Sequence, residues 1–171
     1  MQKKTKKLML WAVGIILMAG IITLVVVNSG GDGQTSSSQY SASALSAVEK
    51  KFDFNTISMG NGKVSHQFEV KNDGAEKVVI EKVYTSCMCT AAYIISSDGS
   101  KYGEFSMPGH SGPSGTNIEV GPGESATVEA IFDPAAHGPS GVGLAQRSIY
   151  IETNSASSPK LEFSFQALVT R

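Results

Sequence analysis

The chain has 171 residues, of which 41% are hydrophobic and 17% are charged, and its formal net charge is −1. This length accommodates one folded domain plus an appendage. Of the 14 basic residues, four are lysines within the first seven positions, and the other ten stand against 15 acidic residues. Residues 8–171 therefore lack the excess of basic side chains that a nucleic-acid-binding domain uses to contact phosphates, so we expect no nucleic-acid partner.

The first predicted element is a transmembrane helix over residues 8–27. This segment has no charged side chain, and a twenty-residue helix spans about 30 Å, the thickness of a bilayer core. The lysines of residues 1–7 predict a cytoplasmic N-terminus, so we expect a single-pass anchor in the cytoplasmic membrane with the C-terminal domain outside it. The alternative is a cleaved signal peptide, whose apolar region is usually shorter. Both interpretations place residues 28–171 beyond the membrane.

Residues 28–50 are rich in Ser, Gly and Ala and are predicted to form a flexible tether. The folded domain is expected over residues 51–171, where short stretches alternate between apolar and polar side chains. About seven strands and no convincing amphipathic helix predict an all-β fold, an antiparallel β-sandwich. The predicted strands are KFDFNTIS, KVSHQFEVKN, KVVIEKVYTS, CTAAYII, SATVEAIFDP, RSIYIETN and KLEFSFQALVT.

Two Gly- and Pro-rich stretches, residues 96–124 and 133–146, interrupt this strand pattern. Long loops without secondary structure are uncommon in compact domains and are usually functional or disordered. The first holds Met107 and His110, and the second holds His137. A third histidine, His66, shares a strand face with apolar residues and is expected to pack or to be partly exposed.

The motif TSCMCT, together with FDFNTIS, FEVKNDG and GPGESATVEAIFDP, resembles a bacterial domain-of-unknown-function family. Members of that family have a strand that ends in Ser-Cys-Gly-Cys-Thr. The resemblance covers about residues 51–169 and implies an exported immunoglobulin-like sandwich, similar in fold to Hydin and major-sperm-protein domains. It implies no activity. Met88 stands where the family has Gly, and the insertion at residues 96–117 is longer than in typical members.

Cys87 and Cys89 are the only cysteines of the chain. On a regular strand they would point to one face with Cα atoms about 6.6 Å apart, which is too far for a disulfide without a local kink. Three interpretations follow: buried cysteines that fill core, a soft-metal site, and a redox-active dithiol or strained disulfide. Free thiols outside the cytoplasm tend to oxidise, which weighs against the first.

For a metal site, the predicted ligands are Cys87, Cys89, His110, His137 and Met107, with Met88 as an alternative thioether. Thiolate, imidazole and thioether ligands suit Cu(I) best and Zn second. Copper is therefore the cofactor that the sequence suggests.

The sequence contains none of the common hydrolase, phosphate-binding or metalloprotease motifs. We therefore expect a non-enzymatic cell-envelope binding or structural module. Its expected partners are the membrane and an envelope protein rather than a small-molecule substrate. Copper binding or delivery and thiol–disulfide exchange are the alternative functions.

Overall fold

The computed structural model describes residues 40–110 and 112–171. The predicted cytoplasmic N-terminus, the predicted transmembrane segment and residues 28–39 of the predicted tether lie outside these residues. Within the described part of the chain, no helix has both the length and the apolar character needed to cross a membrane.

The described residues form ten strands and two short 3-10 turns, at Met59–Asn61 and Gly138–Gly141. The strands make two five-stranded sheets, in the orders β1-β3-β8-β5-β6 and β2-β10-β9-β4-β7. The predicted all-β sandwich is thus confirmed. The strands are β1 (Leu45–Ser46), β2 (Lys51–Ser58), β3 (Val64–Asn72), β4 (Val78–Thr85), β5 (Thr90–Ile95), β6 (Lys101–Phe105), β7 (Gly115–Val120), β8 (Ser125–Phe132), β9 (Gly143–Thr153) and β10 (Lys160–Thr170).

Alternating side chains produce the core, as strand geometry requires. In β8 every second residue from Ala126 to Phe132 is buried, and β10 buries every second residue from Leu161 to Val169. These inward faces meet between the sheets, where Phe68 and Phe163 lie with ring centroids 5.0 Å apart. The alternation of apolar and polar side chains that predicts the strands therefore also produces the faces that hold the two sheets together.

The sandwich has more strands than predicted, and it is not wholly antiparallel. β6 and β7 lie within the 96–124 stretch, and each is an edge strand of one of the two sheets. β2 pairs with β10 in parallel. β6 exposes all of its residues except Phe105. Without a buried alternating face, an edge strand of this kind has no periodic signal in the sequence.

Part of the segment that we predicted as tether packs against the sandwich. β1 pairs with β3, and Leu45 is 4% exposed in the core. Gly74, in the turn after β3, makes room for this segment, because a Cβ atom there would lie 2.1 Å from Oγ of Ser43. His66 of β3, which we expected to pack or to be partly exposed, stacks on Phe52 of β2 with ring centroids 3.6 Å apart.

Candidate dithiol site

The two cysteines lie in a turn and not on a strand, so the strand geometry that we assumed for them was wrong. β4 ends at Thr85 and β5 begins at Thr90, in the other sheet. The N–H of Thr90 donates to the carbonyl of Cys87 at 3.1 Å, which closes the turn. The buried hydroxyl of Thr85 lies 3.0 Å and 3.1 Å from the carbonyl oxygens of Cys87 and Thr90. This crossing between the sheets supplies the kink that a strand lacks.

The turn brings the two sulfur atoms together. The thiol of Cys89 donates to Sγ of Cys87 at 2.6 Å, and the backbone N–H of Cys89 lies 3.4 Å from the same sulfur. Cys89 is 3% exposed and belongs to the core, whereas Cys87 is half-buried. One thiol is therefore accessible and the other lies directly behind it.

His137 and Arg147 complete the cluster. Nε2 of His137 lies 3.3 Å from Sγ of Cys87, and Nε of Arg147 donates to Sγ of Cys89 at 3.0 Å. The ligand atoms of Cys87, Cys89 and His137 all lie within 4.8 Å of one another. We refer to Cys87, Cys89, His137 and Arg147 as the dithiol site.

Arg147 reaches the sulfur because it occupies an inward-facing position of β9. It lies opposite Phe165 of β10, and the residues two positions away, Ala145 and Ile149, are both buried. Its guanidinium carbon lies 5.9 Å from the ring centroid of Phe132. A cation on an otherwise apolar face requires a partner, and the sulfur of Cys89 is one.

His137 is placed by the loop that follows β8. The N–H of Asp133, the first loop residue, donates to the carbonyl of Cys89 at 2.9 Å, which ties this loop to the cysteine turn. His137 immediately precedes the 3-10 turn Gly138–Gly141, and the hydroxyl of Ser140 donates to its carbonyl. His137 is solvent-exposed, and its imidazole therefore contacts Cys87 from the surface of the protein.

These contacts give the two thiols different acidities. Burial opposes ionisation of Cys87, but hydrogen bonds from Cys89 and His137 and the charge of Arg147 outweigh it and lower its pKa from 9.0 to about 7. Burial raises the pKa of Cys89, and donation of its hydrogen to Cys87 raises it further. Burial likewise opposes the charge of Arg147, but its contacts with the two sulfurs raise its pKa overall. A nucleophilic thiolate next to a protonated thiol is the expected state near neutral pH.

Two of the predicted metal ligands belong to a different turn. Met107 and His110 are in the turn after β6, where the N–H of His110 donates to the carbonyl of Met107. His110 is exposed and does not belong to the group formed by Cys87, Cys89 and His137, the one such cluster among the described residues. Arg147 was missed, although a charged residue at an inward position of a strand is a signal that the sequence carries.

A family model described as a protein of unknown function (DUF1573) matches residues 45–104. This match confirms the expected resemblance to a family of unknown function over those residues, which include both cysteines but neither His137 nor Arg147. A comparison with curated proteins finds no match.

Several solved structures are similar to this chain. A protein of unknown function from Porphyromonas gingivalis W83 is 15% identical, with a TM-score of 0.56 over 78% of this chain and 51% of that one. The chain therefore spans about half the length of that protein, and the similarity shows the fold alone. The ASH/PapD-like domain of human CEP192 is 14% identical, with a TM-score of 0.45 over 77% of this chain and 87% of that one. The periplasmic chaperone SfaE is 11% identical, with a TM-score of 0.39 over 75% of this chain and 59% of that one.

Proposed function

We propose that this β-sandwich domain is a thiol–disulfide exchange protein, in which Cys87 attacks the disulfide of a partner and Cys89 resolves the product. The observation that carries the proposal is the approach of the two sulfur atoms to 2.6 Å in the β4–β5 turn. The distance that argued against a disulfide on a regular strand does not apply to this turn. A bond between the sulfurs would need little rearrangement of the backbone.

In the first step, the Cys87 thiolate attacks one sulfur of a partner disulfide. The partner's S–S bond breaks, its second sulfur leaves as a thiolate that takes up a proton, and a mixed disulfide with Cys87 forms. Half-burial leaves Cys87 open to a partner, and the hydrogen bonds from Cys89 and His137 hold its sulfur in place.

In the second step, Cys89 loses its proton and attacks the Cys87 sulfur of the mixed disulfide. The remaining partner sulfur leaves and is protonated. The products are a Cys87–Cys89 disulfide and a fully reduced partner, so two electrons pass from the dithiol to the partner. Arg147, 3.0 Å from Sγ of Cys89, stabilises the negative charge that develops on this buried sulfur.

A purely structural role for both cysteines has less support. Cys89 does contribute to the core, and Cys87 packs only against its edge. Cysteines that merely fill space do not need contacts with an imidazole, at Cys87, and a guanidinium, at Cys89.

The decisive experiment is trapping of the mixed disulfide on the full chain. Cys89→Ser removes the resolving thiol but keeps a hydroxyl donor at that position, so incubation with oxidised glutathione should leave one glutathione on Cys87. Cys87→Ser should acquire far less adduct, because Cys89 is buried. If Cys89→Ser forms no adduct while an unfolded sample of the same variant does, the proposal is wrong.

We propose further that residues 8–27 anchor the domain outside the cytoplasmic membrane, where the dithiol would meet envelope proteins. The uncharged twenty-residue segment and the lysines that precede it support this topology. Protease added to intact spheroplasts should then cleave the sandwich. Protection in intact spheroplasts with cleavage only after lysis would contradict it.

A further inference from the structure

We propose that the reduced protein binds one Cu(I) ion through Sγ of Cys87, Sγ of Cys89 and Nε2 of His137. This is a second function of the site, separate from electron exchange. It follows from the convergence of three soft or borderline donor atoms within 4.8 Å.

The three donors come from two loops that the fold keeps together. The cysteines occupy the β4–β5 turn and His137 the loop after β8, and the hydrogen bond from Asp133 to the carbonyl of Cys89 links the two. The site therefore does not depend on a distant segment that must first move into place. His110 and Met107 are not needed for it.

Binding requires a small opening of the cluster. With metal–sulfur bonds of about 2.3 Å and metal–nitrogen bonds of about 2.0 Å, three donors around one ion lie roughly 3.5–4 Å apart. The sulfur atoms are 2.6 Å apart, and Sγ of Cys87 is 3.3 Å from Nε2 of His137. Cys87 is half-buried and His137 is exposed, so these two side chains can move outwards, whereas Cys89 is held in the core.

The number and type of donors favour Cu(I) over Zn²⁺. Thiolates select soft ions, whereas structural zinc is almost always held by four ligands. Among the described Cys, His, Asp and Glu residues, no fourth side chain joins this group.

The charge of Arg147 favours the monovalent ion as well. Two thiolates and one Cu(I) have a net charge of −1, which the guanidinium 3.0 Å from Cys89 balances. A divalent ion would make the centre neutral and leave the guanidinium without a counter-charge.

The test is a competition for Cu(I) between the anaerobically reduced full chain and a chromophoric Cu(I) chelator. We expect one ion per chain and an ultraviolet thiolate-to-copper charge-transfer band. Cys87→Ser and Cys89→Ser should each weaken the band and the binding, and the double variant should lose the band. His137→Ala should weaken binding by roughly tenfold or more, because one of three ligands is lost. His110→Ala is the matched control and should bind as the unchanged protein does.

Two results would overturn this inference: no copper bound by folded, reduced protein, or equal loss of affinity in His110→Ala and His137→Ala. Near-ultraviolet circular dichroism of each variant establishes that it is folded. Failure here is distinguishable from failure of the exchange function. A protein that forms the glutathione adduct without binding copper retains only the first function, and the reverse result retains only the second.

Discussion

The hydrogen bonds to Cys87 predict a specific pH dependence of its reaction with disulfides. Its pKa is lowered from 9.0 to about 7, so at pH 7 about half of the Cys87 side chains are thiolates, against about 1% for an ordinary thiol. That is roughly a fiftyfold gain in thiolate. A less basic thiolate is also less nucleophilic, and a Brønsted coefficient of about 0.45 over two pKa units removes about eightfold of the gain. The net expectation is about sixfold faster exchange at pH 7.

The assay follows exchange of an aromatic disulfide reporter with the Cys89→Ser variant between pH 5 and pH 10. The same variant unfolded in denaturant serves as the control, because its Cys87 has an ordinary pKa. We expect the folded protein to show a midpoint near pH 7 and a plateau above it, whereas the unfolded protein continues to accelerate through pH 9. The two profiles should therefore cross. A folded-state midpoint near pH 9 would refute our account of the hydrogen bonds to the thiolate.

Three further predictions concern Arg147, the cysteine turn and the packing of β1. Arg147→Met removes the cation at the resolving thiol and should slow resolution of the mixed disulfide by about tenfold or more, since hydrogen bonds to charged groups contribute about 1.5–3 kcal/mol. Arg147→Lys should recover part of the rate. An unchanged rate in Arg147→Met would exclude the assigned role. Thr85→Val should lower the free energy of unfolding in urea by about 1–3 kcal/mol because it removes the hydroxyl from a buried turn, whereas the exposed control Thr56→Val should change it by less than about 0.5 kcal/mol. Gly74→Ala should lower the free energy of unfolding by about 1–3 kcal/mol because its Cβ atom would overlap Ser43, two residues before β1. Gly115→Ala, which meets no atom within 4 Å, is its control, and equal stability of these two variants would contradict the packing of β1.

Strands in which buried apolar side chains alternate with exposed polar ones are the part of the fold that could be predicted from the sequence. The inward faces of β3 and β8 could be predicted because apolar residues recur at alternate positions over most of each strand. β1 has only two residues, and β6 is almost wholly exposed. Their pairing depends on neighbouring strands that a local pattern does not contain, so the sequence gives no local signal for them.

The composition of the site was easier to predict than its geometry. The paired cysteines identified the position, but the assumption that Cys87 and Cys89 continue a strand gave the wrong sulfur separation. His110 and His137 have similar Gly- and Pro-rich surroundings, so only the tertiary structure distinguishes the histidine that reaches Cys87. Arg147 could have been recognised by its inward position in β9, between Ala145 and Ile149, once that strand was placed.

Equilibration of the full chain with glutathione buffers of increasing oxidised fraction, followed by acid quench, alkylation and mass measurement, tests the central claim most directly. We predict a reversible two-electron transition from a doubly alkylated form to a form that has lost two hydrogens and contains a Cys87–Cys89 disulfide. Two alkylated cysteines at every buffer ratio would contradict the claim.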